Sequence, residues 1–485
     1  MPRRTQRVRA LCSQLSIVAT LGALAVAGCS SCSGAGGDGP GAPAGDDAGA
    51  ASDGGRDDTT ASPDDVLAPP DAPLDARSDA SDAPDATVTK GHLFGSHTTG
   101  YAKGTIFPSA PAAELDLGTT AFYDAWKAKY LVAGCGAGRY YVDVSADGVA
   151  GGGKGAGSIT VSEAHGYGML ITALIAGHDP DARKLFDGMY AFFRDHPSVN
   201  SADLMAWNQV AGCKNDPSGG NDAATDGDLD VAYALLLADA QWGSAGAIDY
   251  AAQAKKVIAA IAAHEMSAAT NLALLGDWVD ATSTKYYGGT RPSDFMIDHF
   301  RAYGAATGDA RWSKIVDAHW KLVDAIQTGF AAGTGLLPDF VVDTGSAPKP
   351  ASGTYLEGSH DGDYDYNACR VPWRLGTDYL LSGDPRALVA LQRMNAWIRK
   401  KTGNDPLQID AGYTLAGDNT SGSLDNNLAF VAPFGVAAMA EGKNQAWLDA
   451  IWATTLRRTI ADDAYYGNTI KMLAMLVMSG NYFRP

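Results

Sequence analysis

From Arg311 to Gly329 the chain reads RWSKIVDAHWKLVDAIQTG, where Trp312, Ile315, Val316, Trp320, Leu322, Val323 and Ile326 recur at the spacing of one helical face. Gly329 supplies the stop. The same recurrence predicts helices near 119–131, 162–176, 180–197, 226–242, 246–264, 293–306, 384–401, 425–440, 444–458 and 466–479, with Gly-, Pro-, Asp- and Asn-rich loops between them. Strands are expected only at RYYVDV (139–144) and LPDFVVD (337–343). No fixed-period repeat is present, which argues against a solenoid. The pattern predicts an all-α chain of helical hairpins, closed into a ring or packed as an irregular bundle.

Composition divides the 485 residues into three parts. Residues 1–28 run from a basic head (Arg3, Arg4, Arg7, Arg9) into SIVATLGALAVAG, the form of a signal peptide. VAGC at 26–29 resembles a lipobox, which would make a lipidated Cys29 the mature N-terminus; the plainer reading is a signal peptide with an incidental cysteine. The apolar core stops directly at VAGC, which favours the lipobox. The reading is of an exported, envelope-anchored lipoprotein, or of a secreted protein if Cys29 is incidental. Residues 29–90 form a linker rich in Asp, Ala, Gly and Pro, expected to be a disordered, self-repelling tether. Its core, 30–89, holds thirteen Asp, no Glu and two Arg, a charge of −11. With four arginines ahead of it and a total of −18, residues 90–485 are also at −11 (−18 less +4 less −11). An acidic domain makes nucleic acid an unsuitable partner, and no later apolar run is long enough to span a bilayer.

Of six cysteines, Cys135, Cys213 and Cys369 fall in the globular part. Cys135 and Cys213 sit in similar Gly-rich loops, VAGCGAG and VAGCKNDPSGG, and are the pair an exporting cell would oxidise; otherwise all three are small buried thiols. The only CxxC, Cys29–Cys32, lies at the export junction. No metal or cofactor site is expected. Asp226, Asp228 and Asp230 have the 1-3-5 spacing of a calcium loop, but the sixth and twelfth positions are Val231 and Leu237 instead of Gly and Glu. DGDYD (361–365) fails likewise at Tyr366 and Pro372. HExxH, Walker A and GxSxG patterns are absent.

What remains is carboxylate chemistry. Three acidic residues crowd the start of ATDGDLDVAYALLLADAQW (224–242). In TVSEAHGYGMLITALIAG (160–177), Ser162 can cap a helix, Gly177 can end it, and Glu163 lies in the first turn beside small residues that leave room for a ligand. The alternative for Glu163 is a plain complement to the helix dipole. A third candidate is YLEGSHDGDYDYNACRVPWR (355–374), with Glu357, Asp361, Asp363 and Asp365, which alternatively is an acidic surface loop beside a salt-bridging arginine.

Together these segments resemble glycoside hydrolase family 8. The resemblance rests on SEAHGYGM (162–169), LMAWNQ (204–209), the 224–242 stretch, RPSDFMIDHFRAY (291–303), YNACRVPWR (366–374) and YYGNTIKMLAMLVMSGNY (465–482), in family order over most of residues 95–485. It implies a catalytic (α/α)6 barrel over 91–485 that inverts as it hydrolyses β-1,4-linked glucan-type polysaccharide, without cofactor and as a monomer. It also implies Glu163 as general acid and Asp226 as the carboxylate that holds the sugar at the cleavage point. Each opens a helix whose dipole lowers a carboxyl pKa, so burial and the charge of Asp226 must outweigh that effect if Glu163 is to stay protonated. Asp228 and Asp230 are read as supporting or capping groups. Arg139, Tyr140, Trp207, Tyr286, Asp294, Tyr366 and Trp373 are candidate sugar contacts, and Arg370 is placed to orient the catalytic water.

At the usual base position most of the family carries Asp, whereas this chain has Asn367, and an amide cannot take a proton from water. The resemblance narrows to a subgroup with Asn there, similar to Bacillus-type chitosanases and lichenases, whose base is an acid in the loop upstream. Glu357, ten residues before Asn367, matches it, with Asp361, Asp363 and Asp365 as competitors. The implied activity is an endo-β-1,4-glucanase or lichenase. Chitosan or xylan is the alternative substrate within the family, and non-catalytic glycan binding or a purely structural barrel the reading outside it.

Overall fold

The computed structural model describes residues 91–148 and 157–485. The expected signal peptide (1–28), the Cys29 lipobox and the tether (29–90) lie outside the described residues. Twelve α-helices are present among those described: α1 (Ala112–Tyr130), α2 (Ser162–Leu174), α3 (Ala182–Asp195), α4 (Thr225–Trp242), α5 (Tyr250–His264), α6 (Ile297–Thr307), α7 (Arg311–Gly329), α8 (Val371–Ser382), α9 (Pro385–Lys401), α10 (Leu428–Ala438), α11 (Gln445–Arg457) and α12 (Tyr465–Met478). None is long and apolar enough to cross a membrane.

The packing follows from which faces are apolar. α2 touches α4, α4 touches α6, and the contacts run on through α8, α10 and α12 back to α2, closing a ring. α3, α5, α7, α9 and α11 each pack on the inner helix before them in sequence, and α1 packs on α12. The chain is therefore an (α/α)6 barrel. Ring helices α10 (LAFVAPFGVAA) and α12 are buried over their whole length, whereas outer helices such as α7 bury only one stripe. Because every inner helix is followed by an outer one that returns the chain, the inner helices run the same way, and their N-termini gather at one end.

The expected helices match, with α1 starting seven residues before the expected 119. Helix α8 departs from the pattern: VPWRLGTDYLLS buries Arg374, Thr377 and Asp378 along with its apolar residues, so no polar face marks it as a helix. Short antiparallel pairs fill the loops, including β1 (Leu131–Ala133) with β2 (Tyr140–Val142), and β3 (Ser158–Val161) with β4 (Asn208–Val210) and β5 (Lys214–Asn215). A last pair joins β6 (Val341–Val342) to β7 (Lys349–Pro350); both expected strand segments contain a strand, but β1, β3, β4, β5 and β7 lie outside them, being too short to leave an alternating pattern in the sequence. A disulfide between Cys135 and Cys213, 78 residues apart, ties the β1–β2 hairpin to the β4–β5 turn, and Cys369 is a buried free thiol.

Two glycines decide how closely α2 and α4 approach. A Cβ on Gly227 would lie 2.6 Å from the Ser162 backbone, and one on Gly166 would lie 2.9 Å from the Gly227 carbonyl and 2.7 Å from Asp230 Cβ. The backbones touch where any larger residue would separate them. Gly227→Ala is therefore expected to lower stability by about 1–3 kcal/mol or more, as overpacking of a rigid interface does, read as a fall in the denaturation midpoint. An unchanged midpoint would show that the two helices can part without strain.

Candidate active site

The gathered N-termini bring the chemistry-bearing residues together. Strand β3 runs straight into α2, and the Ser162 N–H donates to the Trp207 carbonyl (2.9 Å), continuing the β3–β4 pairing. Glu163 is thus fixed in the first turn of α2, and Asp226 is the second residue of α4. Ser162 does not cap α2 with its side chain, contrary to the sequence expectation, and no side chain caps α4. Arg291 stands before the 3-10 turn 292–294 that leads to α6, and Arg370 ends the turn 368–370 that leads to α8.

The two arginines bind the acids into one network. Arg370 Nη1 donates to Glu163 Oε2 (2.5 Å), Asp226 Oδ2 (2.9 Å) and Tyr167 OH (3.1 Å). Its Nη2 donates to Ser293 Oγ (2.7 Å) and Asn367 Oδ1 (3.0 Å). Arg291 donates to Asp226 Oδ2 and, from its other nitrogen, to Glu357 Oε1, each at 3.3 Å. Asn367 Nδ2 donates to Glu357 Oε2 (2.7 Å), so Asp226, Arg291, Glu357, Asn367 and Arg370 form a closed ring of hydrogen bonds. Glu163 and Glu357 keep 18 % and 12 % of their side-chain surface exposed, against 5 % for Asp226 and 1 % for Arg370. Two partly exposed acids flank a more deeply buried ionic centre.

Their protonation follows from these contacts. Burial pushes Glu163 up to about 7; Arg370 pulls it down and Asp226 pushes it further up. The helix dipole is overridden, as a protonated acid requires. Burial also acts to raise Asp226, but Arg291 and Arg370 outweigh it and hold this carboxyl below its ordinary value. Glu357 is raised by burial, against the pull of Arg291 and of the Asn367 hydrogen bond. Two acids raised by burial thus flank one carboxylate kept ionised by two arginines.

The loop acids have different fates. Asp361 accepts the N–H groups of Tyr355, Leu356, Glu357 and Gly358 at 2.6–3.0 Å, so its carboxylate shapes the turn that presents Glu357. Asp363 meets His360 Nδ1 at 2.9 Å. Among these acids only Glu357 joins the ring. Asp230, completely buried, takes both Arg374 nitrogens (2.9 and 2.6 Å) and His299 Nε2 (2.9 Å), and Asp228 accepts the Met205 N–H (2.9 Å). They support α4 from within and do not cap it.

The remaining sequence candidates scatter. Asp294 is fully buried beside Arg291 and is pushed up to about 7, chiefly by burial. Trp373 is 1 % exposed, with Arg374 over its ring at 3.9 Å, and is a packing residue and not a surface on which a sugar can lie. Trp207 is buried and donates its indole N–H to the Gly219 carbonyl. Arg139 pairs with Asp195 (2.7 Å), with no bond to the ring, and Tyr140 packs against Gly188 of α3. Tyr286 remains half-buried in an edge-on group with Trp278 and Tyr355, and Tyr366 is half-buried against Phe430. Arg291, Tyr167, Ser293 and Asp339 (below) were not singled out from sequence. For Arg291 the signal was present, an arginine opening RPSD in a matching segment.

A helical-hairpin barrel with two reachable carboxyl groups across an ionic centre is the architecture of a glycosidase. The chain belongs to the glycosyl hydrolases family 8, whose model matches residues 124–480. It is 45 % identical over 391 residues to a beta-glucanase of Niallia circulans, covering 80 % of this chain and 91 % of that one. An endoglucanase of Bacillus sp. (strain KSM-330) is 36 % identical over 367 residues, 75 % and 76 % of the two chains. The apo structure of a beta-1,3-1,4-glucanase from Paenibacillus sp. X4 superposes with a TM-score of 0.76 at 45 % identity, over 82 % of this chain and 100 % of the other.

The Asp230 cluster gives a direct check on the scaffold. Asp230→Asn removes the charge facing Arg374 and His299, and breaking a buried pair from one side costs about 3–5 kcal/mol. The denaturation midpoint is expected to fall accordingly. A midpoint within experimental error of the parent would show that Arg374 finds another partner.

Proposed function

We propose that this glycosidase is an inverting endo-acting β-glucanase in which Glu163 is the general acid, Glu357 the general base and Asp226 the carboxylate that holds the sugar at the cleavage point. The observation that carries the reading is the arrangement around Asp226: Arg370 links it to Glu163, and Arg291 links it to Glu357. An inverting enzyme needs its two acids apart, about 6.5–9.5 Å, so that water fits on the far face of the sugar. Two acids with no direct bond between them, joined through Arg370 and then either Asp226 and Arg291 or Asn367, fit that need.

In this reaction Glu163 gives its proton to the glycosidic oxygen as the bond to the anomeric carbon breaks. Water attacks that carbon from the opposite face and passes a proton to Glu357. The hemiacetal product has inverted configuration, and the acid and base exchange protons with solvent to reset. Asp226, kept ionised by two arginines, stabilises the positive charge that develops on the ring. The relatives' names favour mixed-linkage β-1,3-1,4-glucan as substrate, with other β-1,4-glucans next. The half-buried Tyr286 and Tyr366 are the aromatic faces left for sugar contact.

The test joins mutation to pH. Glu163→Gln is expected to lower kcat by roughly 10²–10⁴-fold or more while glycan binding persists, and Glu357→Gln to lose hydrolysis with rescue by azide. The parent profile is expected to be bell-shaped. Glu163, raised to about 7, must be protonated, so the rate is lost as pH rises through about 7. Glu357 must be ionised, so the rate is also lost as pH falls through its raised carboxylate range. Reducing-sugar assays on mixed-linkage glucan, carboxymethylcellulose, chitosan and xylan rank the substrates. Activity of Glu163→Gln within a few-fold of the parent would remove Glu163 from the mechanism.

The same proposal places the enzyme outside the cell membrane, on a lipidated Cys29 with an acidic tether of about sixty residues. Cys29→Ala is expected to move the protein from the membrane to the soluble fraction. Unchanged partitioning would count against the anchor.

A further inference from the structure

Asp339, in the LPDFVVD segment just before β6, takes no part in the ring of hydrogen bonds, yet its carboxylate faces the turn that carries Asn367. Oδ1 accepts the N–H groups of Asp365 (3.1 Å) and Ala368 (2.6 Å). Oδ2 accepts the Asn367 N–H (3.2 Å) and lies 3.4 Å from Asn367 Nδ2. The backbone beside it grips the other arm of the same loop: the Asp339 N–H donates to the Asp363 carbonyl and the Phe340 N–H to the Asp361 carbonyl, both at 2.8 Å. Asp361 in turn holds the Glu357 N–H at 3.0 Å. Both ends of the loop that presents Glu357 are therefore tied to residues 339–340.

We propose that Asp339 is a positioning residue for the base: it orients the Asn367 side chain so that Nδ2 meets Glu357 and Oδ1 meets Arg370, and it requires an amide at position 367. The inference rests on the reading of Glu357 as general base. Two of the three contacts of the Asn367 side chain are to carboxylates and need a donor, and the third is to a guanidinium and needs an acceptor. An amide satisfies all three at once. An aspartate would put a third carboxyl against Glu357 and Asp339, and like charges so close oblige one of them to take up a proton. An aspartate at position 367 would thus compete with Glu357 for that proton while Asp339 is present. The charged groups facing Glu357 are Arg291, Asp361, Arg370 and Asp339; burial, Asp365 and Glu357 push Asp339 well above the ordinary carboxylate range, against the pull of the Ala368 and Asn367 N–H groups.

The test compares Asp339→Asn, Asn367→Ala, Asn367→Asp and Glu357→Gln by the pH dependence of kcat/KM, by separate kcat and KM, and by thermal denaturation. The Asn367 hydrogen bond lowers the Glu357 pKa, so misaligning or removing it raises that pKa. The acid limb then moves to higher pH. Asp339→Asn is expected to shift the limb upward and to lower kcat by roughly 10–100-fold, the effect of a misplaced reacting group, with KM little changed. Asn367→Asp is expected to shift the limb upward and lower kcat as well. If Asp339→Asn fails to fold, Asn367→Ala, which leaves the three backbone bonds to Asp339 in place, gives the same limb measurement. A lowered melting temperature with an unmoved acid limb would reduce Asp339 to a structural brace and overturn the inference. So would full activity in Asn367→Asp, or recovery of hydrolysis in Glu357→Gln/Asn367→Asp, which would show that position 367 accepts a base beside Asp339. Hydrolysis retained in Glu357→Gln alone would overturn the base reading itself, whatever the Asp339 variants do.

Discussion

The guanidinium groups of Arg291 and Arg370 are what allow three carboxyl groups to converge at one end of this barrel. Asp226, Glu163 and Glu357 would repel one another in a site that is largely removed from water. Each arginine bridges Asp226 to one of the outer acids, so the central charge is compensated twice and each outer charge once. Asp226 stays ionised, while the outer pair remains free to titrate. A buried cluster of this kind adds little to stability, because desolvation consumes most of the attraction. Its value lies in fixing which acid carries the proton.

That electrostatic arrangement depends on backbone geometry several bonds away. Glu163 and Asp226 reach the same Arg370 nitrogen because α2 and α4 touch through Gly166 and Gly227. Asp230, whose Cβ lies against Gly166 in the same contact, is clamped between Arg374 and His299. Arg374 and Arg370 are four residues apart, so one short stretch of chain ties down Asp230 on one side and Glu163 and Asp226 on the other. The three-Asp start of α4 is then a gradient of partners along a single helix: Asp226 on Arg291 and Arg370, Asp228 on the Met205 loop, Asp230 on Arg374 and His299.

Much of this was legible in the sequence, for identifiable reasons. Outer helices such as α7 announce themselves because one stripe is apolar and the rest is wet. Inner helix α8 does not, because its polar residues are buried in ion pairs and periodicity reads burial through apolarity. Resemblance pointed to Glu163, Asp226 and Glu357, which the structure brings into one network, but neither resemblance nor composition distinguishes a sugar platform from a packing aromatic. Trp373 and Trp207 turn inward, and Arg139 is held by Asp195. Arg291 lay in a quoted segment yet carried no sign that it would meet Asp226, 65 residues away. Asp339 carried no sign at all, since its role is to receive backbone N–H groups, and any residue type but proline supplies one.

The loop from 355 to 368 separates its acids by the kind of donor that holds each one. Of its acids, Asp361 has its oxygens filled by backbone donors and Asp363 faces His360, which fixes the loop but leaves neither in the ring of hydrogen bonds. Glu357 has one oxygen on Arg291 and the other on the Asn367 amide, two side-chain donors that can let go when water arrives. A carboxylate anchored by side chains can exchange partners during a reaction, whereas one anchored by four backbone N–H groups cannot without unfolding its loop. Backbone-bound acids build the loop, and the side-chain-bound acid is the one free to change partners.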